Sequence, residues 1–184
     1  MKHCLVTLAA LMVAASSFAQ GTLTFNNKVG STVDARVSYA SSGGLIPADG
    51  TFVAQLYASA PGGTLAAVGA AIPFRATGAG MGYINPTGVD TGRTVPGVAE
   101  NGTAQAKVVA WASSLGATYE AAKAAGKGGV GESGVITVGT GGGLNPPQNL
   151  VGLAAFTIST IVPEPSIAAL GLLGAGLLLI RRKK

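Results

Sequence analysis

Histidine and cysteine are nearly absent from this 184-residue sequence, which has one of each, His3 and Cys4. The chain beyond them therefore lacks the side chains of Ser-His-Asp and Cys-His nucleophiles, of histidine or cysteine metal sites, and of disulfides. Carboxylates, lysines and tyrosines remain for catalysis, and of these only a pair of carboxylates commonly works alone, as in glycoside hydrolases. No pair of acids stands out by its local setting, so the sequence predicts no catalytic residue, no bound metal and no cofactor.

Charge is also scarce, at 10% of the residues, and its positive excess is concentrated at the ends of the chain. The sequence has 12 Lys and Arg against 7 Asp and Glu, a net charge of +5. Residues 20–162 contain seven of those cations and six of the acids, which leaves 7 − 6 = +1. Because these charges are scattered, the basic patch that phosphate contacts need is missing, and no nucleic acid is expected as a partner.

The first 19 residues have the pattern of a secretory signal peptide. A basic residue is followed by a mostly apolar stretch, residues 4–15, and then by the small residues Ser17 and Ala19. A signal peptidase reads small residues at these two positions before its cleavage site. We therefore expect residues 1–19 to be removed between Ala19 and Gln20, and the chain to be exported across the inner membrane.

The last 22 residues contain three signals in a fixed order. A Pro-Glu-Pro motif at residues 163–165 comes first, the small and apolar residues 167–180 follow, and the cations 181–184 come last. The prolines prevent a helix from continuing toward the body. Lipid tolerates the apolar run, and the cations that follow it stay on the cytoplasmic side of the membrane. Fourteen residues rise about 21 Å, less than the roughly 30 Å of a hydrocarbon core. A tail helix packed on the body is therefore the alternative to a short membrane helix over residues 166–180.

This tail resembles the PEP-CTERM sorting tail of exported bacterial proteins of unassigned role that belong to the surface or the matrix. In that family a membrane-embedded protease, exosortase, reads the motif, the short helix and the Arg-rich end. The resemblance implies that Pro163, Glu164 and Pro165 are the recognition motif and that Arg181 and Arg182 are the stop. It further implies that the C-terminal helix first anchors the protein in the membrane and that the protein then reaches the cell surface or extracellular matrix. Signal peptidase and exosortase are the implied processing partners.

Glycine and proline divide the body, residues 20–160, into short segments that alternate in polarity or are rich in β-branched and aromatic residues. Residues 33–39 alternate most clearly and predict one half-buried antiparallel strand. Seven or eight such segments joined by turns predict a mainly β fold, a single immunoglobulin-like β-sandwich, ahead of the tail at residues 161–184. The predicted strands are residues 22–25, 33–39, 52–57, 65–74, 104–112, 135–138 and 150–159.

One short helix is predicted at residues 118–125, which are good helix formers followed by Gly126 as a stop. Glu120 and Lys123 are three residues apart and could pair on its surface. The favoured interpretation of this helix is a solvated surface element.

Trp111 is the only tryptophan and lies in the apolar run 108–111. A large ring in a mid-domain strand most often fills the space between two sheets, so core packing is the favoured interpretation. The alternative is an exposed platform on which a sugar stacks, which makes Trp111 a candidate glycan contact. The tyrosines, among them Tyr57 and Tyr119, leave the same choice open.

Residues 126–133 have the spacing of a phosphate-binding loop, except that Glu132 replaces the lysine that contacts the terminal phosphates. A carboxylate there would repel phosphate, and no alternating strand and helix pattern surrounds the segment. A glycine-rich turn is therefore the favoured interpretation.

Together these features predict a non-enzymatic exported surface or extracellular-matrix protein, transiently anchored in the membrane and sorted by exosortase. Two alternatives stay open. The first is a carbohydrate-binding module of the exopolysaccharide matrix, and the second is a small carboxylate-based glycoside hydrolase.

Overall fold

The computed structural model of the chain describes residues 20–46, 51–75, 78–84 and 92–161. The predicted signal peptide, including Ala19, and the tail beyond residue 161 lie outside these ranges, so both stay predictions. The five sorting residues are therefore also outside the described ranges: Pro163, Glu164, Pro165, Arg181 and Arg182. Within the described ranges, no helix has both the length and the apolar character needed to cross a membrane.

The described residues are mainly β and include one short α-helix, α1 (Tyr119–Ala124), as the sequence predicts. Two 3-10 turns lie at Gly78–Gly80 and Ser113–Leu115. The strands are β1 (Gln20–Leu23), β2 (Lys28–Val29), β3 (Val33–Asp34), β4 (Val37–Tyr39), β5 (Phe52–Ser59), β6 (Ala66–Pro73), β7 (Arg93–Ala99), β8 (Thr103–Ala112), β9 (Val130–Glu132), β10 (Ile136–Gly139) and β11 (Phe156–Ile158).

A five-stranded antiparallel sheet forms the centre of the body, in the order β10-β8-β5-β6, with β9 also paired to β8. Because side chains alternate between the two faces of a strand, β8 contributes to two clusters. Ala106, Val108 and Ala110 point into the main core. Val109 and Trp111 point to the opposite face, where they pack with helix α1. The sheet is therefore covered on both faces.

Three two-stranded sheets complete the fold and pack on the same core. β1 pairs with β7 and β2 with β3, both antiparallel, whereas β11 pairs with β4 in parallel. Leu23 of β1, Val37 of β4, Val95 of β7 and Ile158 of β11 are all fully buried in the cluster that also contains the central sheet. Sheets that share one core in this way are consistent with a sandwich.

Residues 33–39 form two strands, and the prediction of a single antiparallel strand is wrong. The Ala35 N–H still donates to the Asn27 backbone oxygen at 2.9 Å. The pairing of β3 with β2 ends there because the Ala35 carbonyl accepts from the Asn27 side chain, Nδ2, at 2.6 Å. The second strand, β4, then pairs in parallel with β11. An alternating pattern indicates a half-buried strand, but it does not identify the partner strand or its direction.

Two other differences from the predicted strands have local causes. β7 was not predicted because it contains Pro96 and Gly97, residues that usually end a strand. Residues 150–159 were predicted as one strand, but Gly152 has a φ of 92° in a turn and only Phe156–Ile158 is a strand.

Candidate functional site

Helix α1 lies over one face of the central sheet, and a cleft of about 450 Å³ opens beside it. Clefts of this size with a few polar groups are typical of small-molecule sites. The lining side chains come from β5, β8, helix α1 and the segment before β6: Tyr57, Leu65, Lys107, Tyr119, Glu120, Lys123 and Ala124.

The local sequence forms helix α1 through a polar cap at its start and a glycine after its end. Thr118 has extended backbone geometry, and its Oγ1 accepts a hydrogen bond from the Ala121 N–H at 3.2 Å. Gly126 has a φ of 66°, a left-handed conformation that glycine adopts without strain. The helix buries Tyr119 and Ala122 against the sheet, which leaves its acidic and basic side chains to line the cleft.

Trp111 lies beneath this helix with 1% of its surface exposed. Its ring packs edge-on against Tyr119 with 6.3 Å between centroids, and its Nε1 donates to the Gly116 backbone oxygen at 2.9 Å. The ring is therefore part of the core, as the sequence predicts. It lies under a helix, however, whereas the sequence favours a position between two sheets. A ring covered in this way presents no face on which a sugar could stack, so the described structure does not offer Trp111 as a glycan contact.

Tyr57 and Glu120 form one of the polar contacts of the cleft. Tyr57 Oη donates to Glu120 Oε1 at 2.5 Å. Burial raises the pKa of the Tyr57 phenol, and the hydrogen bond to Glu120 raises it further. The same hydrogen bond lowers the pKa of the Glu120 carboxyl. At neutral pH the pair is therefore a neutral phenol that donates to an ionised carboxylate.

Glu132 of β9 lies beside the cleft and contacts the two lysines that line it. Its Oε2 lies 2.6 Å from Lys107 Nζ, and its Oε1 lies 3.7 Å from Lys123 Nζ. Lys107 is the main cause of a lowered pKa for the Glu132 carboxyl. Burial, together with the charge of Glu132, raises the pKa of Tyr119 to about 12. Lys123 also lies over the Tyr119 ring, 5.4 Å from its centroid.

The predicted pairing of Glu120 with Lys123 does not form. Glu120 bonds to Tyr57 and Lys123 turns to Glu132, because the fold offers both of them partners from other strands. The Tyr57 contact joins residues 63 positions apart, and no local pattern in the sequence signals it.

The charged side chains of the cleft, and Glu132 beside it, can bind a polar ligand. Glu120 and Glu132 both have lowered pKa values, so both are ionised at neutral pH. The ionised carboxylates can accept hydrogen bonds from a polar ligand, and the neighbouring lysines can donate hydrogen bonds to it.

The glycine-rich residues 126–133 are partly a strand, so the interpretation as a turn is incomplete. Val130–Glu132 forms β9, which pairs with β8. No helix begins after it, since the next described element is the strand β10. A phosphate-binding loop needs a helix at that point, and its absence here leaves the segment without that function.

Among the residues that the structure describes, no three or more His, Cys, Asp or Glu side chains are grouped so that they could hold a metal ion. The sorting tail and the signal-peptide cleavage site cannot be placed against the cleft, because Ala19 and residues 162–184 lie outside the described ranges. No family model, curated protein or solved structure matches this chain.

Proposed function

We propose that the chain is a non-enzymatic exported surface or extracellular-matrix protein that exosortase sorts through its C-terminal tail. The observation that carries this proposal is the three-part tail at residues 163–184, which follows directly on a folded β body. For that body we propose a single immunoglobulin-like β-sandwich. The core that all its sheets share supports this fold.

The electrostatics of the body support a binding or structural role. Lys28 and Asp34 pair at 2.7 Å, and Lys107 and Glu132 at 2.6 Å. The pKa values of Asp34 and Glu132 are both lowered, chiefly by the hydrogen bonds from these lysines. Carboxylates held ionised by lysines in this way contribute modestly to the stability of a surface.

The test replaces Pro163, Glu164 and Pro165 together by alanine in a host that carries exosortase. The mature parent is expected to lack both the leader and the residues after the motif, and the variant to keep residues 181–184 because the protease no longer recognises it. Intact mass of the product from the envelope and the medium measures both. Pro96→Ala, at an exposed position of β7, controls for the general effect of losing a proline. Unchanged processing of the triple variant would refute the sorting function.

A second candidate is a carbohydrate-binding module of the exopolysaccharide matrix, and the cleft beside helix α1 favours it. Leu65 gives apolar surface, while Glu120, Lys123 and Lys107 give hydrogen-bonding groups, a combination that suits a sugar ring with its hydroxyls. Tyr57 and Tyr119 are buried like Trp111, each with 5% of its surface exposed, so the contacts pass to the charged side chains and Leu65 at this cleft.

Titration with oligosaccharides from the matrix of an exosortase-bearing host, followed by calorimetry, tests this second function. Glu120→Gln keeps the size of the side chain and removes its charge, so we expect about a tenfold loss of affinity if the carboxylate accepts sugar hydroxyls. Glu100→Gln, on the exposed turn before β8, is the matched control. Equal affinities in all three proteins, or no heat at all, would remove the cleft from consideration. Cleavage of the sugar by the parent and its loss in Glu120→Gln would make the protein a glycoside hydrolase.

A further inference from the structure

The last described strand, β11, and the residues after it lie against the glycine-rich segment. Gly129 N–H donates to the Ser159 backbone oxygen at 2.9 Å, and Ser159 N–H donates to the Val130 oxygen at 3.0 Å. On the other edge, Ala40 N–H donates to the Ile158 oxygen at 2.9 Å. The chain therefore leaves the body through a strand that is hydrogen-bonded on both edges.

Three glycines make this contact sterically possible. A Cβ on Gly128 would lie 1.9 Å from the Thr160 backbone oxygen, and one on Gly131 would lie 2.3 Å from the Thr157 oxygen. A Cβ on Gly129 would lie 2.8 Å from the side chain of Ile161. We call Gly128, Gly129 and Gly131 the glycine cradle, because their missing side chains leave the room that residues 157–161 occupy.

Strand β11 and the residues after it, 159–161, differ in how firmly they are fixed to the body. Phe156 and Ile158 are buried in the main core, with 9% and 0% of their surface exposed. Ile161 is 43% exposed, and Ser159 is held by backbone bonds and by its Oγ, which donates to the Val130 oxygen at 3.0 Å. Segments with few buried apolar contacts open first, so residues 159–161 are the part that can detach while β11 stays in place.

The sequence places the Pro-Glu-Pro motif very close to this contact. One residue separates Ile161 from Pro163. At no more than about 3.6 Å per residue, the three residues of chain from Thr160 to the start of the motif span at most about 11 Å when extended. An enzyme that reads the motif as an extended segment at the membrane would meet the folded body at once, unless residues 159–161 leave the cradle.

We infer that tail processing requires residues 159–161 to detach from the glycine cradle, so that the cradle controls the rate at which the motif becomes available. This inference rests on the proposed sorting function and adds a regulatory step to it. The local equilibrium between held and detached forms sets the fraction of chains that can be read. Loosening the cradle should speed processing in proportion to the increase in that fraction.

The first experiment compares Gly128→Ala with Gly62→Ala in the full chain, expressed in a host that carries exosortase. Both glycines have left-handed φ values, 73° and 77°, so both substitutions cost similar backbone strain. The new Cβ meets the Thr160 oxygen in the first variant and has nothing within 4 Å in the second. Pulse-chase labelling with intact-mass detection measures the rate of tail loss. We expect about a tenfold faster rate for Gly128→Ala, equivalent to about 1.4 kcal/mol in the opening equilibrium, and the parent's rate for Gly62→Ala. Equal rates in the two variants would overturn the inference.

A second variant keeps every residue of the body unchanged, and it decides the question if Gly128→Ala fails to fold. Eight glycine and serine residues inserted between Ile161 and Val162 give the motif a free stalk. We expect this insertion to raise the parent's rate about tenfold, because detachment is no longer needed. An unchanged rate would overturn the inference.

The two proposals fail in different ways. If the triple alanine variant of the motif is processed like the parent, the sorting function itself is wrong. If that variant is blocked while the cradle variant and the insertion leave the rate unchanged, only the control by the cradle is wrong. Hydrogen exchange at the Ser159 amide gives a readout apart from processing, and it should be faster in Gly128→Ala than in Gly62→Ala.

Discussion

Asn27 offers the sharpest test of how the body is held together. It is fully buried, and its side chain makes three hydrogen bonds to backbone groups. Nδ2 donates to the oxygens of Ala35 at 2.6 Å and Gly82 at 3.1 Å, and Oδ1 accepts from the Ile84 N–H at 2.7 Å. One side chain thus joins the segment before β4 to residues 82–84, beside the backbone bond from the Val37 N–H to the Gly82 oxygen at 3.0 Å.

Asn27→Ala removes all three bonds and leaves the Ala35 oxygen and the Ile84 N–H without a partner, whereas the Gly82 oxygen still accepts from the Val37 N–H at 3.0 Å. Each unpartnered buried group costs about 1 to 3 kcal/mol, so we expect a loss of about 2 to 5 kcal/mol in the free energy of unfolding. At about 3 °C per kcal/mol for a domain of this size, the melting temperature should fall by about 6 to 15 °C. Urea and thermal unfolding of the full chain in mild detergent, followed by circular dichroism, measure both quantities.

Two further variants separate hydrogen bonding from packing. Asn27→Asp keeps the volume but places a carboxylate oxygen against the carbonyls of Ala35 and Gly82, so it should destabilise at neutral pH at least as much as alanine. Asn145→Ala is the control, because Asn145 is exposed and its Nδ2 bonds only to Asn101 Oδ1 at 2.7 Å; it should cost less than about 0.5 kcal/mol. A loss below about 1 kcal/mol in Asn27→Ala would refute the reasoning and mean that water replaces the amide.

The remaining predictions concern the side chains around helix α1. Trp111 should show the blue-shifted emission of a buried ring and weak quenching by iodide, since 1% of its surface is exposed; strong quenching would contradict its position under the helix. The lowered pKa values of Glu120 and Glu132 give stability that is present above the ordinary value of 4.5 and is lost as the pH falls through the lower folded values. Urea unfolding between neutral and acid pH should therefore show an acid limb that is shallower in Glu132→Gln, and an identical limb would contradict the ion pairs. The raised pKa of Tyr119 gives stability that is present below the ordinary value of 10.0 and lost as the pH rises through about 12, which Tyr119→Phe should reduce in the same assay.

The elements that the sequence predicts well are those that can be identified from their own composition and flanking residues. β5 and β8 are long and mostly apolar, and helix α1 has Thr118 before it and Gly126 after it. β7 contains Pro96 and Gly97 but is held by pairing with β1. That pairing depends on residues about seventy positions apart, which a local pattern does not reveal.

Less of the candidate site could be predicted, because its contacts cross between elements. The tyrosines, the acids and the capped helix are all visible in the sequence, but their partners are not. Glu120 pairs with Tyr57 of β5 instead of its helical neighbour Lys123, because the helix lies over β5 and β8 through Tyr119 and Ala122. The apolar run around Trp111 predicts that its ring is buried. The run does not reveal that a helix covers the ring, because that depends on how α1 packs on the sheet.

The glycine-rich segment shows why a motif must be interpreted with what lies opposite it. A phosphate-binding loop keeps its backbone N–H groups free for the ligand, but Gly129 N–H donates to the Ser159 oxygen. The space beside Gly128 and Gly131, which a phosphate could otherwise approach, is filled by the chain's own Thr160 and Thr157. The same glycines that resemble a ligand loop thus fix the strand that leads out of the body. If the tail is processed as proposed, the body and the tail are coupled through this contact, and substitutions in the body should alter processing without touching the motif.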